Sequence, residues 1–414
     1  MPVTSSPNTT DSARWVWPEI AASATPPGRL RAASFIEWRY YAVLSPSFHG
    51  IVGLALVNPG DHFRAIAESG LLLIVAGMLD RPTPPPTPSG AIAEPPAGET
   101  SALCWMHLFP AASCRFDTPA PGSVTAGDRA CCIALTQRGP AAADIEIEAA
   151  AGLSLRLAHV GIVGSAVTPR SARDFAGPLG SGPFGAWWTV DCPSPVAVTD
   201  GTLTLGRALL ASLAERPGAA PGYATPALRQ RVADGRNQWA WQRASGYYEH
   251  SFGVRPLPLH GWDFLFVPDA TAAQSVVLQT YRGSRALRYA DVCWRQDGAM
   301  RQQRFDADAL RLDWAEHVHD PVLGVRRPLL RRIDAEAGGL RLVVRNSVLD
   351  RVPLLRPHRL AVRHFFISEE IGVADWHLTD AHGNRLAGAT AQPCGGELAH
   401  FRPWAPSPRA PGRT

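Results

Sequence analysis

The stretch SGYYEHSFG, Ser245–Gly253, combines hydroxyl groups, a carboxyl group and an imidazole within nine residues. In an extended strand the side chains alternate between two faces, so Tyr248, His250 and Phe252 share one face and Glu249 lies on the other. A histidine on an aromatic face can donate a proton to an apolar ligand, or it can be a satisfied core residue. The pattern therefore indicates either acid catalysis or packing, and we predict that Glu249 is structural.

A second candidate acid and several large aromatic residues follow the same stretch or precede it. Asp263 lies in GWDFLF, an otherwise apolar strand pattern, where it is either a functional acid or a turn or edge residue. Trp239, Trp241 and Trp262 belong to a set of thirteen tryptophans, a high number for this length. Such rings are typical of a core, but they can also line a site for an elongated apolar molecule and stabilise a positive charge.

The composition excludes several kinds of chemistry. The chain has no lysine, so all 40 basic residues are arginine, and a P-loop lysine, a Schiff base and a pyridoxal phosphate attachment are ruled out. The seven cysteines show no zinc-like spacing, and GSGPFG leads into a strand pattern rather than the helix that a dinucleotide site requires. We therefore expect neither a metal nor a cofactor.

Charge and hydropathy restrict the partners. The net charge is only +4 and the arginines are scattered, which disfavours nucleic-acid binding. The longest apolar run, Leu71–Val75, is far shorter than the roughly 20 residues of a membrane span, so no stable membrane insertion is expected. The N-terminal residues lack the basic start and apolar core of a secretory signal, which predicts a cytoplasmic location. An apolar small molecule is the expected partner, and the sequence does not predict an oligomeric state.

Short strand patterns separated by Gly, Pro, Asp and Asn turns fill most of the chain and predict an all-β fold. Only Gly206–Arg216 has helical spacing together with good helix formers. Eight or nine strands on each side of this segment favour two antiparallel barrels, because closure removes exposed strand edges. The predicted organisation is a tail at 1–30, a β domain at 31–205, a helical connector at 206–235, a second β domain at 236–404 and a tail at 405–414.

Two segments resemble a known superfamily. EWRYYAVLSPSFHGIVGLALVNP, Glu37–Pro59, is similar to the E-W-W-Y-F opening of the carotenoid 1,2-hydratase (hydroxyneurosporene synthase) and AttH lipocalin-like superfamily. SGYYEHSFGVRPLPLHGWDFLF resembles its G-Y-x-D-H-x-W-G signature. Tocopherol cyclases and the lipocalin-like Diels-Alderases are more distant relatives with the same plan. The resemblance implies two lipocalin-like, calycin-type β-barrel domains.

The resemblance also implies positions for the site. The histidine of the signature falls on His250, its acidic residue on Glu249 and its tryptophan on Phe252. A Tyr-x-Asp pair of the carotenoid hydratases is matched at Tyr281, where Gly283 replaces the aspartate. We predict catalytic roles for His250, Tyr248, Tyr281 and Asp263, and substrate-binding roles for Phe252, Trp239, Trp241, Trp262, Trp38 and Tyr40. The face that carries His250 is expected to point into the second barrel or into the cleft between the barrels.

Three functions are compatible with these features. The first is a cofactor-independent enzyme that protonates an alkene of a polyene, isoprenoid or polyketide and so catalyses cyclisation or hydration. The second is a pericyclase of the Diels-Alderase kind, which folds a polyene and polarises a carbonyl group. The third is a lipid or pigment binding protein without chemistry, which needs the same apolar lining but no titratable group facing the ligand.

Overall fold

The protein is almost entirely β structure. The computed structural model describes residues 14–16, 29, 32–62, 69–80, 100–163, 170–172, 187–217, 222–254, 261–281, 283–320, 325–356 and 365–401. Of these residues 72% lie in strands and 7% in helices, in two curled antiparallel half-barrel sheets that match a two-domain lipocalin-like fold. The predicted fold class is therefore confirmed. No helix within the described ranges combines the length and the apolar character needed to cross a membrane.

The first sheet contains thirteen strands. They are β1 Phe35–Leu44, β2 Phe48–Val57, β3 Gly70–Leu79, β4 Ser101–Phe109, β5 Cys114–Phe116, β6 Val124–Gly127, β7 Cys131–Gly139, β8 Ala142–Ala149, β9 Leu153–Val163, β10 Arg170–Ala172, β11 Trp187–Leu205, β12 Tyr223–Ala224 and β13 Gln238–Val254. Their spatial order is β12-β4-β3-β2-β1-β13-β11-β9-β8-β7-β6-β5, and β10 pairs with β11 beside this path. Two helices, α1 Arg207–Ser212 and α2 Pro226–Ala233, lie in the predicted connector, and Ala111–Ser113 form a 3-10 turn.

The second sheet contains nine strands. They are β14 Trp262–Asp269, β15 Gln274–Tyr281, β16 Arg288–Gln296, β17 Ala299–Asp306, β18 Leu310–Asp320, β19 Val325–Ala337, β20 Leu340–Arg356, β21 Phe365–Thr379 and β22 Arg385–Phe401. Their spatial order is β17-β16-β15-β14-β22-β21-β20-β19-β18. Strand β14 thus lies next to β22, far from it in sequence, and this pairing brings distant residues together.

Strand β13 belongs to the first sheet, although the sequence pattern placed it at the start of the second domain. It pairs with β1 from Phe35 opposite Val254 to Leu44 opposite Ser245, and with β11 on its other side. The change from the first sheet to the second consequently comes after Val254 and not at the helical connector. The SGYYEHSFG stretch is a central strand of the first sheet for this reason.

Three of the four buried apolar clusters among the described residues explain the two kinds of strand in the sequence. One core lies inside the curl of the first sheet, one inside the curl of the second, and one between the faces of the two sheets that point away from those curls. Strands β2 and β3 are buried along nearly their whole length because each contributes to the first core and to the inter-sheet core. Strands β7 to β9 alternate between buried and exposed residues because one of their faces meets solvent.

A β-bulge sets the direction of the side chains along β13. Trp241 lies opposite Gly201 and Ala244 lies opposite Thr199, so β13 has one residue more than β11 between these pairs. Arg243 takes a positive φ of 50° at this point. The extra residue changes which side of the strand the odd-numbered residues face. Trp241 and Tyr248 therefore both point into the first core.

Candidate functional site

The ten predicted site residues are divided among the three cores. The inter-sheet core contains or contacts four of them, Trp38, Tyr40, Trp262 and Tyr281. Five lie on the inner side of the first sheet, namely Tyr248, His250, Phe252, Trp239 and Trp241. Asp263 lies on the inner side of the second sheet. The structure thus does not assemble them into one site.

His250 is held inside the first sheet. Its Nε2 is 2.8 Å from Oε1 of Glu37, and both side chains are completely buried. Glu37 also accepts two hydrogen bonds, of 3.0 and 2.9 Å, from the backbone N–H of Val16. The expectation that the His250 face points between the barrels is wrong, because β13 lies in the first sheet and this face is turned into its curl. The catalytic role of His250 stays a prediction.

The neighbours of His250 form an aromatic and polar layer. Tyr248 stacks on Tyr41 with ring centroids 4.4 Å apart and an angle of 4° between the rings. His159 meets both rings edge-on, and burial lowers its pKa to about 3. Phe252 lies beside His250, with 5.1 Å between centroids. Trp239 and Trp241 are buried farther along β13. These contacts make the layer a packed interior.

Asp263 belongs to a buried ion network inside the second sheet. Nε of Arg331 donates to its two oxygens at 2.8 and 3.1 Å, and Nε1 of Trp314 donates to Oδ2. The same guanidinium binds Glu370 through NH2 and Asn346 through NH1. Asp263 is therefore saturated by a cation and an indole.

The inter-sheet core brings together three carboxyl groups, and Glu249 is the one from the first sheet. Its Oε2 accepts hydrogen bonds from the hydroxyl of Tyr247 at 2.9 Å and from Nε2 of Gln279 at 2.8 Å, and its Oε1 accepts one from Ser251. Burial raises the pKa of Glu249 to about 7 despite these three donors, with a further contribution from the charge of Glu397. Glu249 lies on the face of β13 opposite His250 and is turned toward the second sheet, and its structural role stays a prediction.

The other two carboxyl groups, Glu369 and Glu397, occupy facing register positions on β21 and β22. The hydroxyl of Tyr40 donates to Oε2 of Glu369 at 2.8 Å, and the Glu369 side chain also forms a hydrogen bond with Glu397. Nε1 of Trp262 donates to Oε2 of Glu397 at 2.7 Å. Burial and then the neighbouring Glu397 raise the pKa of Glu369 well above its ordinary value. The shift favours the protonated, neutral form of Glu369.

Aromatic rings surround the three carboxyl groups. Tyr40 meets Phe264 and Phe266 edge-on at 6.1 and 5.9 Å between centroids, and Tyr247 stacks on Phe266 at 4.8 Å. A Cβ atom at Gly395, the register partner of Phe266, would overlap this ring, so the glycine leaves room for it. The acids are thus buried among rings, an environment that disfavours the charged form of a carboxyl group.

Trp262 and Tyr281 close one side of this cluster. They face each other across the β14–β15 pair and stack with centroids 5.8 Å apart and an angle of 17°. Trp38 lies on the same side of β1 as Tyr40, with 6.4 Å between ring centroids. The inter-sheet cluster, defined as Tyr40, Tyr247, Glu249, Trp262, Tyr281, Glu369 and Glu397, is the candidate functional site.

The sequence contained a signal for the acids that the motifs did not reveal. Glu369 and Glu370 are adjacent in FISEEIGV, and Glu397 lies in GGELAHF, in each case within an otherwise apolar strand. The same feature, an acidic residue within an apolar strand pattern, identified Asp263 as a candidate acid. Alternation alone places Glu369 and Glu370 on opposite faces, and the structure shows them in the inter-sheet cluster and the Arg331 network respectively.

A surface groove and the possible metal-ligating side chains are weaker candidates for a functional site. An open groove of about 550 Å³ crosses the outer face of β8, β9, β11 and β13, where Asp144, Arg156 and Arg243 line it beside Trp241. It holds no buried acid, so the inter-sheet cluster is the stronger candidate. Among the described residues no three His, Cys, Asp or Glu side chains are arranged to hold a metal ion.

The comparisons with known proteins give only distant similarities. No family model matches the chain, and no curated protein matches it. A solved structure assigned as AttH from Nitrosomonas europaea is 12% identical over 89% of this chain and 93% of that chain, with a TM-score of 0.43. CghA with Sch210972 is 12% identical over 88% of each chain, with a TM-score of 0.47, and CghA alone has a TM-score of 0.45 at the same identity and coverage. These values assign neither a reaction nor a ligand to this chain.

Proposed function

We propose that the protein is a cofactor-independent enzyme that binds an apolar, unsaturated small molecule at the inter-sheet cluster and protonates one of its alkenes. The observation that carries the proposal is Glu369, a buried carboxyl group that contacts the Tyr40 hydroxyl and the Glu397 carboxyl group among aromatic rings. Oε2 of Glu369 accepts the Tyr40 hydroxyl, and the proton of the acid lies between Glu369 and the neighbouring Glu397 carboxyl group. A buried carboxyl group with a raised pKa can transfer this proton to an apolar ligand.

The reaction balances without any added reagent. The O–H bond of Glu369 breaks as a C–H bond forms at one alkene carbon, which leaves a cation on the neighbouring carbon and a carboxylate at Glu369. Attack by water then gives hydration, and attack by a second alkene gives cyclisation. The proton released in that step passes to a carboxylate. Glu249 suits this role because its pKa is about 7 and it is within the electrostatic reach of the same cluster.

A pericyclase is the second candidate, and the same carboxyl group supports it. A protonated Glu369 can donate a hydrogen bond to a substrate carbonyl and polarise it, with no proton transferred. Holding the reacting ends together supplies about 7–11 kcal/mol in favourable cases, so such an enzyme needs few polar groups. A non-catalytic lipid or pigment binding protein is the third candidate, and it would not need a buried acid beside the ligand.

Solvent deuterium separates the three functions. The full-length protein is incubated in D₂O with lycopene, squalene or a polyene that carries a conjugated ketone and an internal dienophile, and the products are analysed by mass spectrometry. Alkene protonation gives a product with deuterium bonded to carbon, whereas a pericyclic closure gives an isomer without it. Saturable binding of these probes with no product would support the binding protein and contradict the proposal.

The variant Glu369→Gln tests the acid itself. An amide can donate a hydrogen bond but has no acidic proton, so the alkene-protonating activity should fall by about 10²- to 10⁴-fold. A pericyclase would keep much of its rate. Glu336→Gln, an exposed glutamate on β19, is the matched control and should retain full activity. Wild-type deuteration by folded Glu369→Gln would contradict the assignment of Glu369.

A further inference from the structure

Trp15 places an indole ring inside the curl of the first sheet. The side chain is 3% exposed and belongs to the core of that sheet. Cζ of Arg39 lies 4.3 Å from the centroid of the indole, and Phe116 meets the ring edge-on at 5.3 Å between centroids. Nε1 of the indole donates to the backbone carbonyls of Gly122 and Ser123 at 3.1 and 3.2 Å. A cation, a ring and two acceptors thus surround the indole as they would a bound aromatic ligand.

The walls of this pocket are braced independently of the indole. The Trp15 pocket is defined by four residues, Arg39, Phe116, Gly122 and Ser123. NH1 of the fully buried Arg39 donates to the carbonyl of Gly122 at 3.1 Å and to Oε1 of Gln137 at 3.4 Å. The loop that carries the two carbonyls has hydrogen bonds of its own, from N–H of Gly122 to Asp117 at 2.6 Å and from N–H of Asp117 to the Ser123 carbonyl at 2.8 Å. The pocket should therefore keep its shape when the indole leaves.

The segment that carries the indole is attached differently from a strand. Trp15 and Val16 lie outside the described strands, and their backbone N–H groups bind carboxylates rather than a strand ladder. The N–H of Trp15 is 3.4 Å from Oδ1 of Asp117, which is long for a hydrogen bond. The N–H of Val16 donates to both oxygens of Glu37 at 3.0 and 2.9 Å. One ring and one strongly bound amide can be released in a single local opening.

The same segment covers the Glu37–His250 pair. Oε1 of Glu37 binds the N–H of Val16 and is also 2.8 Å from Nε2 of His250, in a completely buried position. Glu37 and Arg39 are two residues apart on β1 and share a face, so the pair lies beside the Trp15 pocket. Withdrawal of Val16 would remove two hydrogen bonds from Glu37. It would leave a carboxylate and an imidazole, groups that can transfer a proton, next to the emptied pocket.

We propose that Trp15 and Val16 form a removable plug, and that the Trp15 pocket binds a planar aromatic ligand with an N–H donor when the plug is withdrawn. The ring of such a ligand lies against the Arg39 guanidinium, and its N–H reaches the two carbonyls. Ligand and plug compete for the same space, which makes the plug an autoinhibitory contact over the Glu37–His250 pair. The plug is independent of the acid mechanism proposed for the inter-sheet cluster, which uses other residues.

Fluorine NMR of the full-length protein with fluoroindole tests this competition. Trp15→Ala removes the competing ring, so fluoroindole should bind this variant roughly tenfold or more tightly than it binds the wild type. The N-methyl derivative of fluoroindole lacks the donor and should bind Trp15→Ala roughly tenfold more weakly than fluoroindole, because the two carbonyls stay unsatisfied. Arg14→Gln, at an exposed position beside the plug, should behave as the wild type.

A second control separates the Trp15 pocket from an ordinary core cavity. Trp239→Ala empties a similar volume in the same core and should show no preference for the N–H form of the probe. Equal affinity of fluoroindole for the wild type and for Trp15→Ala would overturn the inference. Equal binding of fluoroindole and its N-methyl derivative by Trp15→Ala would also overturn it.

Hydrogen exchange of the wild type decides the question even if a variant does not fold. Indole at a saturating concentration should accelerate exchange in the peptide that contains Trp15 and Val16 and leave the peptides of β1 and β13 unchanged. Unchanged exchange at Trp15 and Val16, or equal acceleration in β1 and β13, would show that the segment is a fixed part of the core and would refute the plug.

Chemical modification measures whether the plug covers His250. Diethyl pyrocarbonate modifies accessible imidazole groups, and mass spectrometry of the peptides locates the product. In the full-length double variant Trp15→Ala with Val16→Pro, which lacks both attachments, His250 should react roughly tenfold or more rapidly than in the wild type. His159, which is buried beside two tyrosine rings of the same core, should stay protected. Continued protection of His250, or reaction of both histidines, would contradict a plug that can be removed from an intact sheet.

Discussion

Replacement of Arg331 by methionine should destabilise the second sheet strongly. Arg331 is 2% exposed and binds Asp263 and Glu370, with a further hydrogen bond of 2.9 Å to Asn346. Methionine fills a similar volume but leaves two buried carboxylates, for which Arg327 is the neighbouring described cation. Breaking a buried ion pair from one side typically costs about 3–5 kcal/mol. We expect a loss of this size in the free energy of unfolding.

The loss should depend on pH and should be recoverable. Without Arg331, the two carboxyl groups have raised pKa values in the folded state, so the folded variant binds more protons than the unfolded chain. The destabilisation should therefore be smaller at pH 5 than at pH 8. A triple variant that adds Asp263→Asn and Glu370→Gln removes both unpaired charges and should recover most of the loss, because a neutral replacement of a buried ion network is often tolerated.

Urea unfolding followed by tryptophan fluorescence measures these effects. With a slope of about 3 kcal/mol per molar urea, a loss of 3–5 kcal/mol lowers the midpoint by about 1 M or more. The matched control is Arg341→Met, which removes an exposed pair with Asp334 and should leave the midpoint unchanged. A midpoint for Arg331→Met within 0.3 M, roughly 1 kcal/mol, of the wild type at pH 8 would refute the reasoning.

Two further predictions concern the first sheet. Burial raises the pKa of Glu249 from its ordinary 4.5 to about 7, so the free energy of unfolding should fall by about 3 kcal/mol in total as the pH rises from about 4.5 to 7. Thermal melts of Glu249→Gln should show a smaller fall over this pH range. An unchanged pH dependence in this variant would disprove the prediction. His250→Ala leaves Glu37 with one partner fewer in a fully buried position and should lower stability by about 1–3 kcal/mol. Loss of turnover with an unchanged melting temperature would instead support a catalytic His250.

The strands of the fold were predictable because their burial pattern is local. Apolar and polar residues alternate in β8 and β9 because one face of these strands is exposed to solvent. The helix predicted within Gly206–Arg216 is present at Arg207–Ser212. The uninterrupted apolar run of β3 also indicated a strand, but it could not reveal that two different cores cover its faces. Period-two patterns report exposure and do not report which neighbour covers a face.

The candidate site was only partly predictable because pairing between distant strands creates it. Tyr40 and Glu369 are 329 positions apart in the sequence. A local sequence pattern predicts neither the register of β21 with β22 nor the position of β13 beside β1. Tyr40 and Trp262 were identified as aromatic lining, yet the acids that they bind were not. The motif histidine is buried, its catalytic role stays a prediction, and its orientation depended on the sheet to which β13 belongs.

Strand alternation couples the Arg331 network to the inter-sheet cluster. Trp262 and Asp263 are consecutive on β14, and Glu369 and Glu370 are consecutive on β21, so each strand points one member into each region. Arg331 joins Asp263 to Glu370 across the inside of the second sheet and thereby fixes the distance between β14 and β21. An apolar core could supply similar stability, but it would not fix the two strands at single residues. The buried ions on the inner face of the second sheet thus position the Trp262 indole and the Glu369 carboxyl group on its opposite face.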